Sequence, residues 1–278
     1  MLQVDIDSGH VSTQLSHTVV VEQVIGMMRE HLYEPLSLED MADAACLSPY
    51  YFNRVFHSIV GIPPGEFLAT LRLEAAKRLL LTTSLSVTDV CFEVGYVGLG
   101  SFTTRFTQLV GVPPRLLRHL AKNTTLSAPS MPDPSDARHI TLPPLPPTNQ
   151  QTRGAELATL KGRIHTTEAF HGLIFVGLFP KPIPQGRPVR CTLLTEPGPF
   201  QIDQIPDGRY FLMIAAMPVS SDPHIYLLPG APLVAIHGPL LLTNVVAHEP
   251  VEIVLRPLRP TDPPIITALP FISTLQPV

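Results

Sequence analysis

An internal repeat in the N-terminal half constrains the fold of this chain more than any other feature. Six residues return at an offset of 50. Phe52, Phe56, Val60, Gly61, Pro63 and Pro64 recur as Phe102, Phe106, Val110, Gly111, Pro113 and Pro114. Residues 37–42 match residues 86–91 at an offset of 49, so the second copy has one extra residue. Because a repeat defines the structural unit, the two copies are expected to fold alike.

Each copy begins with the signals of a short helix followed by a tight turn. Ser37 and Ser86 are suited to cap this first helix, and each has an acidic residue three positions later. An acidic side chain there favours the positive end of the helix dipole. A turn follows at Cys46 in the first copy and at Gly95 in the second.

A second helix is predicted after the turn in each copy. Ser48 suits its cap and Pro49 its first position, since the N–H that proline lacks would have no partner there. The repeated phenylalanines fall on one face of this helix. Gly61 and Gly111 suit the left-handed residue that ends a helix, and the proline pairs after them prevent its continuation. Two such helices joined by a tight turn form a helix-turn-helix.

A longer helix is predicted between the two units, over residues 65–81. Phe67, Leu71, Ala75 and Leu79 give it an apolar stripe at four-residue spacing. At 1.5 Å per residue its length is roughly 25 Å. The sequence therefore predicts two helix-turn-helix units joined by one linking helix.

Three stretches of the repeat region carry a family resemblance. They are LSLEDMADAACLSPYYFNRVFHSIVGIPPGEFL, RLEAAKRLL and LSVTDVCFEVGYVGLGSFTTRFTQLVGVPPRLLR. On these stretches, residues 19–120 resemble the DNA-binding domain of the AraC/XylS family of bacterial transcription regulators. The chain departs from the family pattern at Cys46, where glycine is common, and at Leu117, where an aromatic residue usually stands. The family usually carries this domain at the C-terminus, so its usual N-terminal sugar-binding arm is not assumed here.

The resemblance also implies which side chains contact DNA. It places Tyr50, Asn53 and Arg54 on the exposed face of the first recognition helix, and the inward spacing of the phenylalanines agrees. Arginine can bridge two acceptors of guanine and asparagine can pair with adenine, whereas the small residues of the second unit favour readout of DNA shape. The predicted base contacts are Tyr50, Asn53, Arg54, Leu99, Ser101, Thr104 and Arg105. The predicted phosphate contacts are His57, Arg115, Arg118, His119 and Lys122.

The charge of the chain argues mildly against DNA binding, because the formal net charge is −4. No acidic residue nevertheless lies within residues 49–60 or 98–122. The charged side chains of these two stretches are all basic, and both stretches also contain histidine. A local basic surface can neutralise phosphates even where the whole domain does not.

The second half of the chain has a different pattern. Residues 123–154 are predicted to be a proline-rich linker, because the apolar periodicity disappears there. Short apolar runs divided by Pro/Gly turns then favour an antiparallel β-sandwich. The predicted strands are 171–179, 189–194, 200–205, 210–217 and 251–255, with hairpin turns at 196–199 and 206–209. The stretch PGPFQIDQIPDGRYFLMIAA resembles carboxypeptidase-regulatory or transthyretin-like domains, which implies an accessory module.

The predicted architecture is therefore multidomain, an all-α tandem helix-turn-helix domain followed by an all-β sandwich domain. The domain boundaries are 17–122 for the DNA-binding domain, 123–154 for the linker and 155–278 for the sandwich. No catalytic motif, metal-ligand spacing or cofactor motif is found in the sequence. The three cysteines are interpreted as buried thiols of a reducing compartment. Without a signal peptide or a run long enough to cross a bilayer, a cytoplasmic protein is predicted.

The sequence thus predicts a regulator that binds double-stranded DNA in a sequence-specific manner, with RNA polymerase as a second partner. The sandwich would sense a small-molecule effector or form a homodimer. One alternative is an architectural or partner-recruiting DNA-binding protein with a purely structural sandwich. The other is a ligand-binding or enzymatic sandwich with a degenerate helical domain, against which the exposed side chains at positions 50, 53 and 54 argue.

Overall fold

The computed structural model describes residues 5–123, 140–141, 157–220, 224–228, 232–244 and 248–268. Helices make up the N-terminal part and strands most of the rest. The helices are α1 (Asp5–Glu30), α2 (Leu38–Ala44), α3 (Pro49–Val60), α4 (Pro64–Thr82), α5 (Val87–Glu93), α6 (Leu99–Val110), α7 (Pro114–Asn123) and α8 (His224–Leu227). The strands are β1 (Ile140–Thr141), β2 (Ala158–His165), β3 (Gly172–Phe179), β4 (Arg190–Leu194), β5 (Pro199–Ile205), β6 (Gly208–Pro218), β7 (Leu233–Leu242), β8 (Val251–Val254) and β9 (Arg256–Pro257).

The predicted caps at the first helix of each unit are confirmed. The Ser37 hydroxyl oxygen accepts from the backbone N–H of Asp40 at 3.1 Å, and the Asp40 carboxylate accepts from the N–H of Ser37 at 2.8 Å. Ser86 and Asp89 form the same reciprocal pair, with both distances 3.1 Å. Each pair satisfies two N–H groups that the first helical turn leaves without a partner. Local sequence therefore starts both units in the same way.

The turns and helix ends that the sequence predicts are also confirmed. Cys46 and Gly95, which follow the first helices, have positive φ angles of 52° and 78°. Gly61 and Gly111 end α3 and α6 in the left-handed conformation, with φ of 86° and 95°. Cys46 is exposed and does not fit the prediction of a buried thiol, because the turn directs its side chain away from the core.

The linking helix α4 is buried on two sides, which corrects the single predicted stripe. Its first half places Phe67 and Leu71 in the core of the first unit, together with residues of α1 and α3. Its second half places Leu73, Ala76 and Leu80 in the core of the second unit. Ala75 and Leu79, which the stripe placed inside, are only partly buried. The burial changes face along the helix because α4 packs between the two units.

The strands form two sheets that share one hydrophobic cluster. The six-stranded sheet has the order β1-β4-β3-β6-β7-β9 and the three-stranded sheet the order β5-β2-β8. Side chains of β2 and β5 pack against those of β3 and β6 within this cluster. A β-rich C-terminal region is therefore confirmed, while its relation to carboxypeptidase-regulatory or transthyretin-like domains stays a prediction.

Two expectations about the strands were wrong. The turns at 196–199 and 206–209 do not close hairpins, because β5 belongs to one sheet and its chain neighbours β4 and β6 belong to the other. The pairing is also not wholly antiparallel, since β2 and β8 run parallel with Gly162 opposite Val251. In both cases the chain crosses between sheets, which local turn chemistry does not reveal.

Two strands of the C-terminal region were not predicted from the sequence, and the predicted linker can be compared with the structure only in part. Strands β2 and β7 were not predicted, although β7 pairs with β6 along most of its length. Most of the predicted linker lies outside the described residues. Ile140 and Thr141, inside its predicted bounds, pair with Leu193 and Thr192 of β4.

The helical part and the β part contact each other at both helix-turn-helix units. Ile183, from the loop between β3 and β4, is buried in the core of the first unit. Ile266 and Ala268, which follow β9, are buried in the core of the second unit. The N–H of Ala268 donates to the carbonyl oxygen of Val110, at the end of α6, at 3.0 Å. The two parts therefore share apolar cores as well as hydrogen bonds.

Candidate nucleic-acid interface

One buried face of α3 fixes which of its side chains are exposed. Phe52 and Phe56 are fully buried with ring centroids 5.7 Å apart. Phe56 also meets Phe67 of α4 edge-on, at 5.6 Å. Aromatic pairs in this geometry stabilise beyond the area they bury. The contacts set the rotation of α3 about its axis, so the opposite face is the one available to a partner.

The exposed face of α3 carries the side chains that the sequence predicted for it. Tyr50 is 75% exposed, and Arg54 and His57 are also exposed. Asn53 is half-buried at the margin of this face. A guanidinium, a carboxamide, a phenol and an imidazole thus lie together on one helix, and all four can hydrogen-bond to base edges or phosphates.

A groove beside this face adds residues that sequence reasoning missed. It has a volume of about 470 Å³, and Asn53, Arg54 and His57 lie along it. His17 of α1 and Tyr51 of α3 complete the groove, with ring centroids 5.9 Å apart. Tyr51 follows a predicted contact directly, whereas His17 comes from another helix and has no local signal. The groove therefore extends the candidate interface from α3 to α1.

The second recognition helix, α6, is held in the same way but offers smaller side chains. Phe102 and Phe106 are fully buried, and Tyr96 packs against Phe102 at 5.3 Å. The predicted contacts on the opposite side, Leu99, Ser101, Thr104 and Arg105, are all exposed. The Ser101 hydroxyl donates to the carbonyl oxygen of Gly98 at 2.8 Å, so its proton is already engaged.

The two recognition helices carry their arginines at positions that the repeat does not relate. At the repeat offset, Thr104 is the counterpart of Arg54, and Arg105 is the counterpart of Val55. Val55 is buried, whereas Arg105 is exposed and lines a groove that also contains Glu66 of α4. Arg105 therefore lies one residue later in α6 than Arg54 does in α3, so the two arginines are on different sides of their helices.

The predicted phosphate contacts fall into different environments. His57, Arg115 and His119 are exposed. Arg118 is half-buried, and its Nε donates to the carbonyl oxygen of Leu80 at 3.1 Å, near the end of α4. This bond gives Arg118 a structural role beside any contact with DNA. The side chain of Lys122 lies outside the described residues.

Other kinds of site are not seen in the described part of the chain. Over those residues, no group of three or more His, Cys, Asp or Glu side chains could hold a metal ion. No helix within the same ranges is both long and apolar enough to cross a membrane.

Comparisons with known proteins match this part of the chain. Residues 41–119 match a family model described as a helix-turn-helix domain. The HTH-type transcriptional activator AarP of Providencia stuartii is 31% identical over 99 residues, covering 36% of this chain and 73% of that protein. The uncharacterized HTH-type transcriptional regulator YobQ of Bacillus subtilis is 37% identical over 95 residues, covering 34% of this chain and 39% of that protein.

A solved structure of similar sequence is the DNA-binding domain of AdpA in complex with a target DNA. It is 30% identical and covers 37% of this chain and 95% of that domain, with a TM-score of 0.36. The match spans less than half the length of relatives such as YobQ. The helical part carries an AraC-type helix-turn-helix DNA-binding domain, and the chain belongs to the AraC family of bacterial transcription regulators.

Proposed function

We propose that this regulator recognises a specific DNA sequence by placing α3 and α6 in adjacent major grooves of one duplex. The observation that carries the proposal is that both helices are held through buried phenylalanine pairs in cores that share α4. A shared linking helix fixes the distance and orientation between their exposed faces. Two recognition helices about one DNA turn, roughly 34 Å, apart can enter successive major grooves.

The two helices are expected to contribute unequally to sequence recognition. In α3, Arg54 can bind guanine through two hydrogen bonds and Asn53 can bind adenine in the same manner. In α6, Ser101 and Thr104 have one hydroxyl each and discriminate less between bases. We therefore assign most direct base recognition to α3, while α6 reads DNA shape and contacts the backbone.

Selection of bound fragments from random DNA by the full chain tests this proposal. The expected result is two enriched sequence blocks with centres about 10 base pairs apart. The block contacted by α3 should be the better defined, and Arg54→Ala should blur that block alone. If no sequence is enriched, or if only one block is enriched and no second block accompanies it, the two-groove arrangement is contradicted.

The proposal includes a signalling role for the β region, and a small cavity there is the candidate site for an effector. The cavity lies against the six-stranded sheet and has a volume of about 50 Å³. Pro184 and Ile265 form part of its wall, and both belong to segments that contact the helical part. Ligand pockets usually measure about 300–1,000 Å³. A ligand of more than a few atoms would therefore have to displace this wall and alter the contact with the helical part.

A cavity-filling substitution separates sensing from a purely structural β region. Cys191 lines the cavity, and Cys191→Leu would occupy part of its volume as a bound ligand does. If the cavity is coupled to the DNA-binding domain, DNA affinity of the full chain should change while the secondary structure, followed by circular dichroism, remains. Unchanged affinity would favour the structural alternative. Sedimentation of the full chain at micromolar concentration tests the remaining role, a homodimer.

RNA polymerase remains part of the proposal as a second partner. The relative AarP is named a transcriptional activator, which supports contact with the transcription machinery. Transcription in vitro from a selected binding site, with and without the full chain, would show whether this protein raises or lowers initiation.

A further inference from the structure

The loop between β3 and β4, residues 180–189, lies between the ends of the two recognition helices. Its Pro182 side chain packs against Gly61, which ends α3. Its Ile183 is buried in the core of the first unit. Its Gly186 N–H donates to the carbonyl oxygen of Leu109, near the end of α6. We call residues 180–189 the β3–β4 loop; it contacts both units at once.

A polar groove is formed by this loop, α6 and the first turn of α4. It has a volume of about 580 Å³ and is formed by residues of both parts of the chain. Its charged and amide side chains are Glu66, Arg105, Gln108, Lys181, Gln185 and Arg187. Three bases and one acid therefore meet in one groove, and one of the bases, Arg105, belongs to the recognition helix itself.

The single acid of the groove is already compensated. The Lys181 ammonium donates to Glu66 Oε1 at 2.8 Å, and the Gln185 amide donates to the same oxygen at 3.1 Å. Partial burial acts to raise the pKa of Glu66, but these two hydrogen bonds and the nearby cations hold it below its ordinary value. Glu66 is therefore ionised at neutral pH and balances Lys181, which leaves the groove with the positive charges of Arg105 and Arg187.

Arg187 is the cation that the β3–β4 loop leaves available in the groove. Its side chain is half-buried, and within the described ranges its guanidinium forms no hydrogen bond or ion pair. A guanidinium presents several N–H donors in a fixed plane that matches two oxygens of a phosphate. Such a group beside a recognition helix has the chemistry to bind the DNA backbone.

We propose that this groove binds a backbone phosphate of the duplex that α3 and α6 read, through Arg105 and Arg187. The β region is then a third part of the DNA interface in addition to its proposed signalling role. This inference rests on the proposed function, because it requires a duplex lying across both recognition helices. A duplex that lies across both helices carries its backbone past the space between them, and the proposal places one phosphate of that backbone at the β3–β4 loop, which contacts the C-terminal ends of α3 and α6.

The salt dependence of DNA affinity tests the inference. For each phosphate that the protein no longer neutralises, the slope of log K against log salt concentration becomes shallower by about 0.9. We expect this change for Arg187→Ala in the full chain bound to a selected site. Arg163→Ala is the matched control, because Arg163 is an exposed arginine on β2 in the three-stranded sheet. Its slope should equal that of the unsubstituted chain.

A second substitution is expected to raise DNA affinity instead of lowering it. A rise in affinity cannot be explained by a loss of stability. Glu66→Gln removes the negative charge but keeps an oxygen that Lys181 and Gln185 can contact. Since Lys181 is then unbalanced, DNA affinity at low salt should rise. An unchanged slope for Arg187→Ala together with unchanged affinity for Glu66→Gln overturns the inference while DNA binding itself stands. Failure of the unsubstituted chain to select or bind DNA overturns the proposed function as well.

Discussion

The amine of Lys77 on α4 lies 3.0 Å from the carbonyl oxygen of Ile265 and 3.3 Å from that of Ile266. Its side chain is only 1% exposed, so the contact between the helical part and the β region contains a buried titratable group. Burial lowers the pKa of Lys77 from 10.5 to about 7. A neutral amine still has two N–H donors, which is enough for the two carbonyl oxygens.

The first prediction is that Lys77 makes the full chain more stable as pH rises from 7 towards 9, the ordinary pKa of Cys91 and Cys191, above which these thiols act in the opposite direction because burial raises their pKa. The pKa of Lys77 is lower in the folded chain than in the unfolded chain, so between about 7 and 10.5 the unfolded chain binds more protons. By linkage, the contribution of Lys77 to the free energy of unfolding increases with pH across this window. Denaturant unfolding of the full chain at several pH values measures this slope.

Lys77→Met is the control for that pH dependence. Methionine fills a similar volume without titrating, so the part of the pH slope that comes from Lys77 should vanish. At high pH, where the amine of the unsubstituted chain is neutral, the variant should be less stable by about 1–3 kcal/mol, because two buried carbonyls lack a donor. An identical slope in both proteins would show that Lys77 keeps an ordinary pKa.

The second prediction concerns Arg54. Arg54→Ala should cost about 1–3 kcal/mol of discrimination at one base pair of the selected site, because an exposed guanidinium on α3 can bind guanine through two hydrogen bonds. Arg209, an exposed arginine of β6, serves as the charge-matched control. Binding to the selected site and to random DNA should be measured for both variants. Equal losses on the two DNAs after Arg54→Ala would mean that Arg54 contacts phosphate only.

The third prediction separates two arginines of α7. Arg118→Ala should lower the free energy of unfolding by about 1–3 kcal/mol, because Arg118 donates to the carbonyl oxygen of Leu80 from a partly buried position. Arg115→Ala should leave stability unchanged, since its side chain is exposed. Both variants should flatten the salt slope of DNA binding if both arginines contact phosphate. Full stability of Arg118→Ala would contradict the structural role.

The fourth prediction uses two glycines that the repeat relates. Gly61 and Gly111 both have left-handed φ angles, so alanine at either position should cost about 1–2 kcal/mol. A Cβ at Gly61 would also lie 3.2 Å from Pro182 of the β3–β4 loop, whereas one at Gly111 meets nothing within 4 Å. Gly61→Ala should therefore destabilise the full chain more than Gly111→Ala. Equal destabilisation, measured by denaturant unfolding, would mean that the loop does not pack against Gly61.

The helical part shows how far local signals extend. Ser37, Ser86, Gly61 and Gly111 act through their own turn of backbone, so their roles could be predicted one residue at a time. The exposed face of α3 followed in the same way from the spacing of its phenylalanines. The stripe on α4 failed because burial there depends on two neighbours on different sides, which a single periodicity does not encode.

The candidate site was predictable to the same extent. Tyr50 and Arg54 were placed correctly on the exposed face, since a helix fixes side-chain directions within a few residues. The contribution of His17 and the different position of Arg105 were not predictable. Both depend on which helix or loop packs beside the recognition helix, and this is decided by residues far away in the chain.

By itself the sequence determined the repeat, the caps and turns of both helix-turn-helix units, and which face of α3 is exposed. These features depend on backbone preferences and side-chain spacing over a few residues. Only the tertiary structure decided that the β region packs across both units, that β2 and β8 run parallel, and that Lys77 is buried against Ile265. Such contacts join residues widely separated in the chain, so they arise from packing and leave no periodic signal in the sequence.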